Sequence, residues 1–158
     1  MASMPDVGRS YLLDTNILLR LVQPDSPDYA ALRRCTDFLW GQGAELFYAS
    51  QNLAEFWNFC TRPADRNGFG FTVLETDERA TQIESMFSLA PDSEATHREW
   101  RRIVVADGVS GVQVHDARLI AVMRIHGIKY LLTLNPSDFR RYSDVVVVPP
   151  QDVLTVNL

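Results

Sequence analysis

Short apolar runs alternate with amphipathic segments along the chain, and this alternation predicts its elements. The apolar runs predict strands over 10–13, 45–49, 87–90, 130–134 and 145–148, with 87–90 at an edge. Apolar residues at helical spacing predict helices over 15–21, 28–40, 51–60, 76–86, 91–106 and 115–126. Ser50 and Thr76 are the expected N-caps of two of these helices. Alternating strands and helices predict a mostly parallel sheet covered by helices on both faces.

The length and composition fit one folded domain. A chain of 158 residues with 46% hydrophobic residues can bury one complete core, so we expect a single domain over 1–158 with residues 1–9 as a flexible N-terminus. No apolar run approaches the about 20 residues that a membrane helix needs, and the N-terminus lacks the pattern of a signal peptide. A cytoplasmic protein without a membrane partner is expected.

The segment between the third and fourth predicted helices has the composition of a surface loop. Residues 62–71 contain Pro, Asp, Asn and two Gly, which predicts a mobile surface loop and a candidate lid over a substrate.

Cys35 and Cys60 lie in separate helical patterns without a Cys-x-x-Cys spacing. Buried thiols are therefore favoured over a disulfide or a zinc site.

The charge pattern leaves a nucleic-acid partner open. The net charge is −5, but the basic residues are 14 Arg and one Lys, and Arg is the better bidentate ligand of phosphate. Arginines cluster at 33–34, 98–102 and 140–141. Each cluster can bind phosphates or merely solubilise a helix face, and the sequence favours neither.

Three isolated carboxylates lie at the edges of apolar runs: Asp14, Glu55 and Asp116. Burying an ionised carboxylate is costly unless hydrogen bonds or a cation compensate its charge. Asp14 follows a strand directly, while the other two lie in early turns of helices that can start at the same sheet edge. A shared divalent cation would explain all three acids.

The residues around these acids resemble a known family. The stretches 13–19, 52–56, 115–121 and 132–139 resemble PIN-domain ribonucleases of the VapC toxin type, in the same order and with similar spacing. The resemblance implies a PIN-like three-layer α/β/α sandwich with a central, mostly parallel sheet. It also implies an endoribonuclease that depends on Mg²⁺ or Mn²⁺.

The resemblance assigns roles position by position. Asp14, Glu55 and Asp116 match the three acidic metal-site positions of the family. The fourth position varies in the family, and it falls here on Asn135 or on Asp138. We prefer Asp138 as the fourth acid, with Asn135 as a neutral ligand or hydrogen-bond partner.

Further roles follow from the same resemblance. Thr15 and Asn16 would orient Asp14 or bind a water of the metal ion. Carboxylates without Cys or paired His suit Mg²⁺ or Mn²⁺ better than Zn²⁺, and such an ion can activate water for attack on a phosphodiester. The implied partners are an RNA substrate, a small antitoxin and a second copy of the chain in a symmetric dimer.

Other functions use the same residues. A DNA-directed nuclease or another phosphohydrolase could use the same acids, and an inactive PIN-like module could bind RNA or protein. A phosphatase of the Asp-x-Asp kind is disfavoured because Asn16, not Asp, stands two residues after Asp14. His115 beside Asp116 is read as a structural residue at a helix start and not as a general base.

Overall fold

The computed structural model describes residues 9–155, so the N-terminus expected to be flexible lies outside the described residues except for Arg9. The strands are β1 (Ser10–Leu13), β2 (Glu45–Ala49), β3 (Ser88–Ala90), β4 (Tyr130–Leu132) and β5 (Val146–Val148). The helices are α1 (Thr15–Leu21), α2 (Tyr29–Gly41), α3 (Ser50–Thr61), α4 (Val73–Met86), α5 (Glu94–Ala106), α6 (Gln113–His126) and α7 (Pro150–Thr155).

The five strands form one parallel sheet in the order β3-β2-β1-β4-β5. Strand β1 is central, with Tyr11 opposite Leu46 of β2 and opposite Tyr130 of β4. The chain moves outward from β1 in one direction through β2 and β3 and in the other through β4 and β5. The carboxyl ends of β1 and β4 therefore border the point at which the strand order reverses, where ligands bind in folds of this kind.

Side-chain alternation along β1 divides the interior into two cores. Tyr11 and Leu13 pack in one core with helices α1, α2, α3, α4 and α7, while Leu12 packs in the other with α5 and α6. Leu12 and Leu13 are both fully buried, as a strand covered on both faces requires. The predicted three-layer α/β/α arrangement with a parallel sheet is confirmed.

Several predicted boundaries are wrong in detail. Helix α3 begins at Ser50, and its N-cap is Ala49, whose backbone N–H donates to Asn52 Oδ1 (2.8 Å). Helix α4 is capped by Thr72, whose Oγ1 accepts from the backbone N–H of Glu75 (3.1 Å), and not by Thr76. Thr76 is buried and donates its hydroxyl to the Thr72 carbonyl, so it lies inside the helix.

The carboxyl-terminal helix is missing from the sequence-based prediction. The two prolines at 149 and 150 mark the end of β5, but Pro150 also opens α7, because proline suits the first turn of a helix. Val153 of α7 is buried in the core that also holds α2. Helix α7 thus covers part of one face of the sheet.

The loop over 62–71 packs against the end of α3, and its role as a lid stays a prediction. Its backbone bonds to the end of α3, with Phe69 N–H donating to Phe59 O (3.2 Å) and Phe71 N–H to Cys60 O (2.9 Å). Phe59 and Phe69 meet edge to face at 4.8 Å between ring centroids. A Cβ at Gly68 would lie 2.0 Å from the carbonyl oxygen of Arg62, so this close approach requires glycine.

Both cysteines are buried and free, as predicted. Burial raises the pKa of the Cys35 thiol to about 12 and that of Cys60 to about 11. Thiols with such pKa values are poor nucleophiles and poor metal ligands at neutral pH. They act as small apolar side chains of the core.

Within residues 9–155, no helix is long and apolar enough to cross a membrane. The longest helices, α4 and α6, each have 14 residues, which is shorter than a bilayer requires.

An ion-pair network joins α5, α6 and the segment before β5. Arg124 donates to both oxygens of Asp144 (2.8 and 2.9 Å) and to Glu99 Oε1 (3.1 Å). Its side chain is only 24% exposed, which distinguishes it from the exposed pair of Arg98 and Glu94 on α5. Arg102, with Arg124 beside it, holds the pKa of Glu99 below its usual value, and Arg124 does the same for Asp144.

We predict that Arg124→Met destabilises the fold by about 1 kcal/mol at pH 7, a value discounted because Asp144 is half exposed. Lowered carboxyl pKa values stabilise the folded state above the unfolded pKa of about 4, and this contribution disappears as pH falls through the folded values. The loss should therefore be smaller at pH 3. Urea unfolding at both pH values measures it, with Arg98→Met as the control; equal losses at both pH values would contradict the prediction.

Candidate functional site

Asp14 lies at the reversal point of the sheet, where β1 ends and α1 begins. It is the N-cap of α1, and its Oδ1 accepts from the backbone N–H of Thr15 (2.8 Å). Its Oδ2 accepts from the hydroxyl of Thr133 (2.8 Å), which directly follows β4. Burial raises the pKa of Asp14, the two hydrogen bonds oppose that rise, and the charges of Glu55 and Asp138 add to it.

Glu55 lies in the second turn of α3, and both of its oxygens accept hydrogen bonds. Thr15 Oγ1 donates to Oε2 (2.7 Å), which ties the α3 carboxylate to the residue after Asp14. Gln51 Nε2 donates to Oε1 (2.9 Å) and also to the carbonyl oxygen of His115 (2.9 Å). Gln51 thereby links the helix that carries Glu55 to the first turn of α6.

Asn52 anchors this network to the end of β2. It is fully buried, its Oδ1 accepts from the Ala49 N–H, and its Nδ2 donates to Thr15 Oγ1 (3.2 Å). Thr15 accepts from Asn52 and donates to Glu55, so its hydroxyl hydrogen has a fixed direction. The chain of bonds fixes the position of the Glu55 carboxylate relative to Asp14.

Asp116 approaches from the other helical layer, in the first turn of α6. Burial first, and then the charges of Asp14, Asp138 and Glu55, together raise its pKa to about 6, against a small opposing effect of His115. The first turn of a helix favours a carboxylate, but this effect does not offset burial beside three other acids. Asp116 is thus harder to ionise than an exposed aspartate.

The fourth predicted position lies on the rim of the site. Asp138 is exposed, within the 3₁₀ turn Pro136–Phe139, and its charge acts on Asp14 and Asp116. Asn135 is also exposed, and its backbone N–H donates to Thr133 Oγ1 (3.0 Å). Asn16 Oδ1 accepts from the backbone N–H of Leu134 (3.3 Å) and so joins α1 to the segment after β4.

The structure brings the four predicted acids into one electrostatic cluster. Three further residues support these acids, and the sequence-based prediction gives them no role. These are Gln51, Asn52 and Thr133. A signal exists for two of them, because Asn52 and Thr133 are polar residues within apolar segments. The role of Gln51 depends on where α6 packs, and no local pattern reveals it.

The donor set of the cluster suits a hard divalent cation. Carboxylate, hydroxyl and amide oxygens are the ligands that Mg²⁺ and Mn²⁺ prefer. Burial first, and the neighbouring carboxylates after it, raise the pKa of Asp14 and of Asp116, and a bound cation would oppose both effects. As the side chains stand, no three His, Cys, Asp or Glu residues within 9–155 are close enough together to hold an ion. Glu55 has both oxygens turned to Thr15 and Gln51, but each oxygen keeps a second lone pair for a ligand.

A family model named PIN domain matches residues 11–145. The chain belongs to the PIN domain family. The match covers most of β1, strands β2 to β4, helices α1 to α6 and all four predicted acids, and it confirms the resemblance seen in the sequence. Among curated proteins, no relative matches this PIN domain.

Solved structures share this fold at low sequence identity. VapBC2 from Rickettsia felis bound to a DNA fragment from its promoter is 14% identical, with a TM-score of 0.66 over 89% of this chain and 98% of that chain. FitAcB from Neisseria gonorrhoeae is 19% identical, with a TM-score of 0.64 and the same coverage. VapC20 from Mycobacterium tuberculosis, a sarcin-ricin loop cleaving toxin, is 18% identical, with a TM-score of 0.52 over 77% of this chain and 86% of that chain.

We predict that Asp116→Asn stabilises the metal-free PIN domain by about 1 kcal/mol or more above pH 6. An acid whose folded pKa is raised stabilises the fold while it is protonated, and stability falls as pH rises from the unfolded value of about 4 through the folded value. The gain should therefore vanish near pH 4.

Urea unfolding in the presence of a chelator, from pH 4 to pH 8, measures the effect of Asp116→Asn. The exposed acid Asp152 on α7 provides the control substitution Asp152→Asn, which should change stability little at any pH. A variant no more stable than the wild type at pH 8 would show that charge repulsion at Asp116 is not a significant cost.

Proposed function

We propose that this PIN domain is a divalent-metal-dependent endoribonuclease that hydrolyses RNA phosphodiester bonds as the toxin of a toxin-antitoxin pair. The observation that carries the proposal is the acid cluster at the carboxyl edge of the parallel sheet. Asp14, Glu55, Asp116 and Asp138 come from four separate segments of the chain, and their charges oppose one another. A fold maintains such an arrangement at a cost, and cation-assisted phosphodiester chemistry gives it a use.

The four acids are the proposed ligands of Mg²⁺ or Mn²⁺, with Asp14 at the centre, Glu55 and Asp116 on either side and Asp138 at the rim. When bound, the ion stabilises negative charge on a phosphodiester and lowers the pKa of a coordinated water. Asn135 is the alternative to Asp138 as the fourth ligand. Whether one ion or two is held stays open in this proposal.

The supporting side chains prepare the site before substrate arrives. Thr133 orients Asp14 by donating to one of its oxygens, and Thr15 orients Glu55 in the same way. Gln51 holds Glu55 and the start of α6 together, which sets the distance between the two flanking acids. Fixed donors of this kind hold the carboxylates in place, so little reorganisation is needed when a cation and phosphate bind.

RNA is the proposed substrate because the fold is shared with a toxin that cleaves the sarcin-ricin loop. The competing proposals are a DNA-directed nuclease, another phosphohydrolase or an inactive binding module. The acid cluster argues against the last of these, because a module that only binds has no need of four mutually repelling carboxylates. The remaining alternatives are separated by the choice of substrate in the test below.

The proposal includes a small antitoxin, a symmetric dimer and a cytoplasmic site of action. Structures such as VapBC2 and FitAcB are complexes whose fold this chain shares. The apolar stripe of α2 is used in the core, which removes it as a docking face. Helix α4 buries Ala80 and Ile83 but exposes Val73 and Leu74 at its first turn, which leaves an apolar surface for a partner.

We expect the metal-loaded wild type to cut a mixed pool of structured and single-stranded RNA at discrete positions, whereas Asp14→Asn and Asp116→Asn lose at least about a hundredfold in rate. Mapping of new RNA ends by sequencing gives both the activity and the target. Asp152→Asn is the matched control and should cut like the wild type. The same assay on DNA and on a simple phosphomonoester tests the alternatives.

Cleavage of DNA but not RNA would replace the proposed substrate, and hydrolysis of the phosphomonoester alone would favour a phosphohydrolase. RNA binding without turnover in any metal would favour the inactive module. Cleavage that survives both aspartate substitutions would contradict the assigned site.

We also expect millimolar Mg²⁺ or Mn²⁺ to raise the melting temperature of the wild type by several degrees, because a ligand that binds only the folded state stabilises it. The ion should raise the melting temperature of Asp116→Asn much less and that of Asp152→Asn as much as the wild type. Differential scanning fluorimetry measures all three proteins. A wild type that does not respond to either ion would contradict the metal site independently of any substrate.

A further inference from the structure

A cavity of about 330 Å³ opens beside the acid cluster, between the first turns of α3 and α6. Its lining residues are Gln51, Ala54, Glu55, Asn58, His115 and Arg118. Glu55 belongs to both the cavity and the cluster, and His115 directly precedes Asp116. A ligand that bridges this cavity and the acids needs no rearrangement of the sheet edge. The volume is in the range of small ligand sites and suits one nucleotide unit.

The free polar groups of this cavity are suited to an anion. Gln51 uses its amide hydrogens on Glu55 and the His115 carbonyl, so it offers no donor to a ligand, and its Oε1 is buried without a hydrogen-bond partner among residues 9–155. Asn58, His115 and Arg118 are all exposed on the cavity side of their helices and bring amide, imidazole and guanidinium donors. Ala54 adds a small side chain, which leaves room between the two helices.

Arg118 supplies the fixed positive charge of this cavity. Its Nη2 lies 3.3 Å from Asp92 Oδ2, a contact to one oxygen between side chains that are 49% and 34% exposed. Exposed single-contact pairs contribute little free energy, so the guanidinium can exchange this partner or share it with a phosphate.

A positively charged side chain next to the acids would balance the negative charge of a bound nucleic acid. A nucleic acid brings further negative charge to a cluster of four carboxylates, and one divalent ion neutralises only half of them. A phosphate next to the cleaved one would be repelled by Glu55 unless a cation faced it. Arginine is the side chain best suited to that place because it binds phosphate through two parallel hydrogen bonds.

We propose that this cavity is a subsite for a backbone phosphate flanking the cleaved bond, with Arg118 as the main contact and Asn58 and His115 as supporting donors. The inference rests on the proposed function, because it assigns the cavity to the same RNA. Arg118 positions the strand and takes no part in the bond-breaking step. The subsite is sequence-independent, since a phosphate carries no base information.

The test measures RNA binding without cleavage, in an Asp116→Asn background with Mg²⁺ present. Fluorescence anisotropy of a short, fluorescein-labelled, mixed-sequence RNA gives Kd over a series of KCl concentrations. Arg118→Gln should weaken binding about tenfold and reduce the slope of log Kd against log salt by about 0.7. Arg118→Lys should keep the slope and lose only about threefold, because the charge stays while the paired hydrogen bonds are lost.

The matched control is Arg98→Gln on α5, which removes the same charge from an arginine whose ion pair with Glu94 is fully on the surface. It should change Kd less than about twofold. If Arg118→Gln and Arg98→Gln have the same Kd and slope, the subsite is overturned while RNA binding by the protein stands. If the parent protein does not bind RNA at all, the RNA substrate and the subsite both fail. Melting temperatures of all variants identify any loss of binding that comes from unfolding.

Discussion

The parallel pairing of β1 with both β2 and β4 is the constraint on which the rest of this molecule depends. It places the carboxyl ends of three strands side by side, and each of those ends leads into a segment that carries part of the site. Asp14 follows β1, the helix with Glu55 follows β2, and Thr133 follows β4. The pairing continues one residue past the strand, because the Asp14 N–H donates to the Leu132 carbonyl (2.9 Å). A shift in register would separate Thr133 from Asp14.

The acids collected at this edge oppose the stability that the sheet provides. Burial and mutual repulsion raise the pKa of Asp14 and of Asp116, so their ionised forms cost free energy near neutral pH. The Thr133 hydroxyl and the Thr15 backbone N–H offset part of this cost at Asp14, while Thr15 Oγ1 and Gln51 fix the position of the Glu55 carboxylate. The remainder is a cost in stability that the proposed metal ion would relieve.

The site lies where the two helical layers meet, and one layer contributes more of its acids than the other. Asp14 and Glu55 belong to segments that pack on one face of the sheet, while Asp116 belongs to α6 on the other. Gln51 spans the junction through its bond to the His115 carbonyl (2.9 Å). The same junction forms the cavity with Arg118, so one arrangement of two helix starts sets the acid spacing and the proposed phosphate contact together.

The sequence by itself determined the layered α/β architecture and singled out the acids, because apolar periodicity and the cost of burying charge are local signals. The family followed from the resemblance of the four stretches around those acids. The sequence predicted the wrong cap for α4, since threonine suits a helix start at either position, and only the tertiary structure shows that Thr76 is buried while Thr72 accepts from the Glu75 N–H. The tertiary structure decided the partners of the acids. Thr133 lies 119 residues from Asp14, and Asn52 lies 37 residues from Thr15. Contacts across such separations follow from strand order and helix packing, which no pattern within a segment encodes.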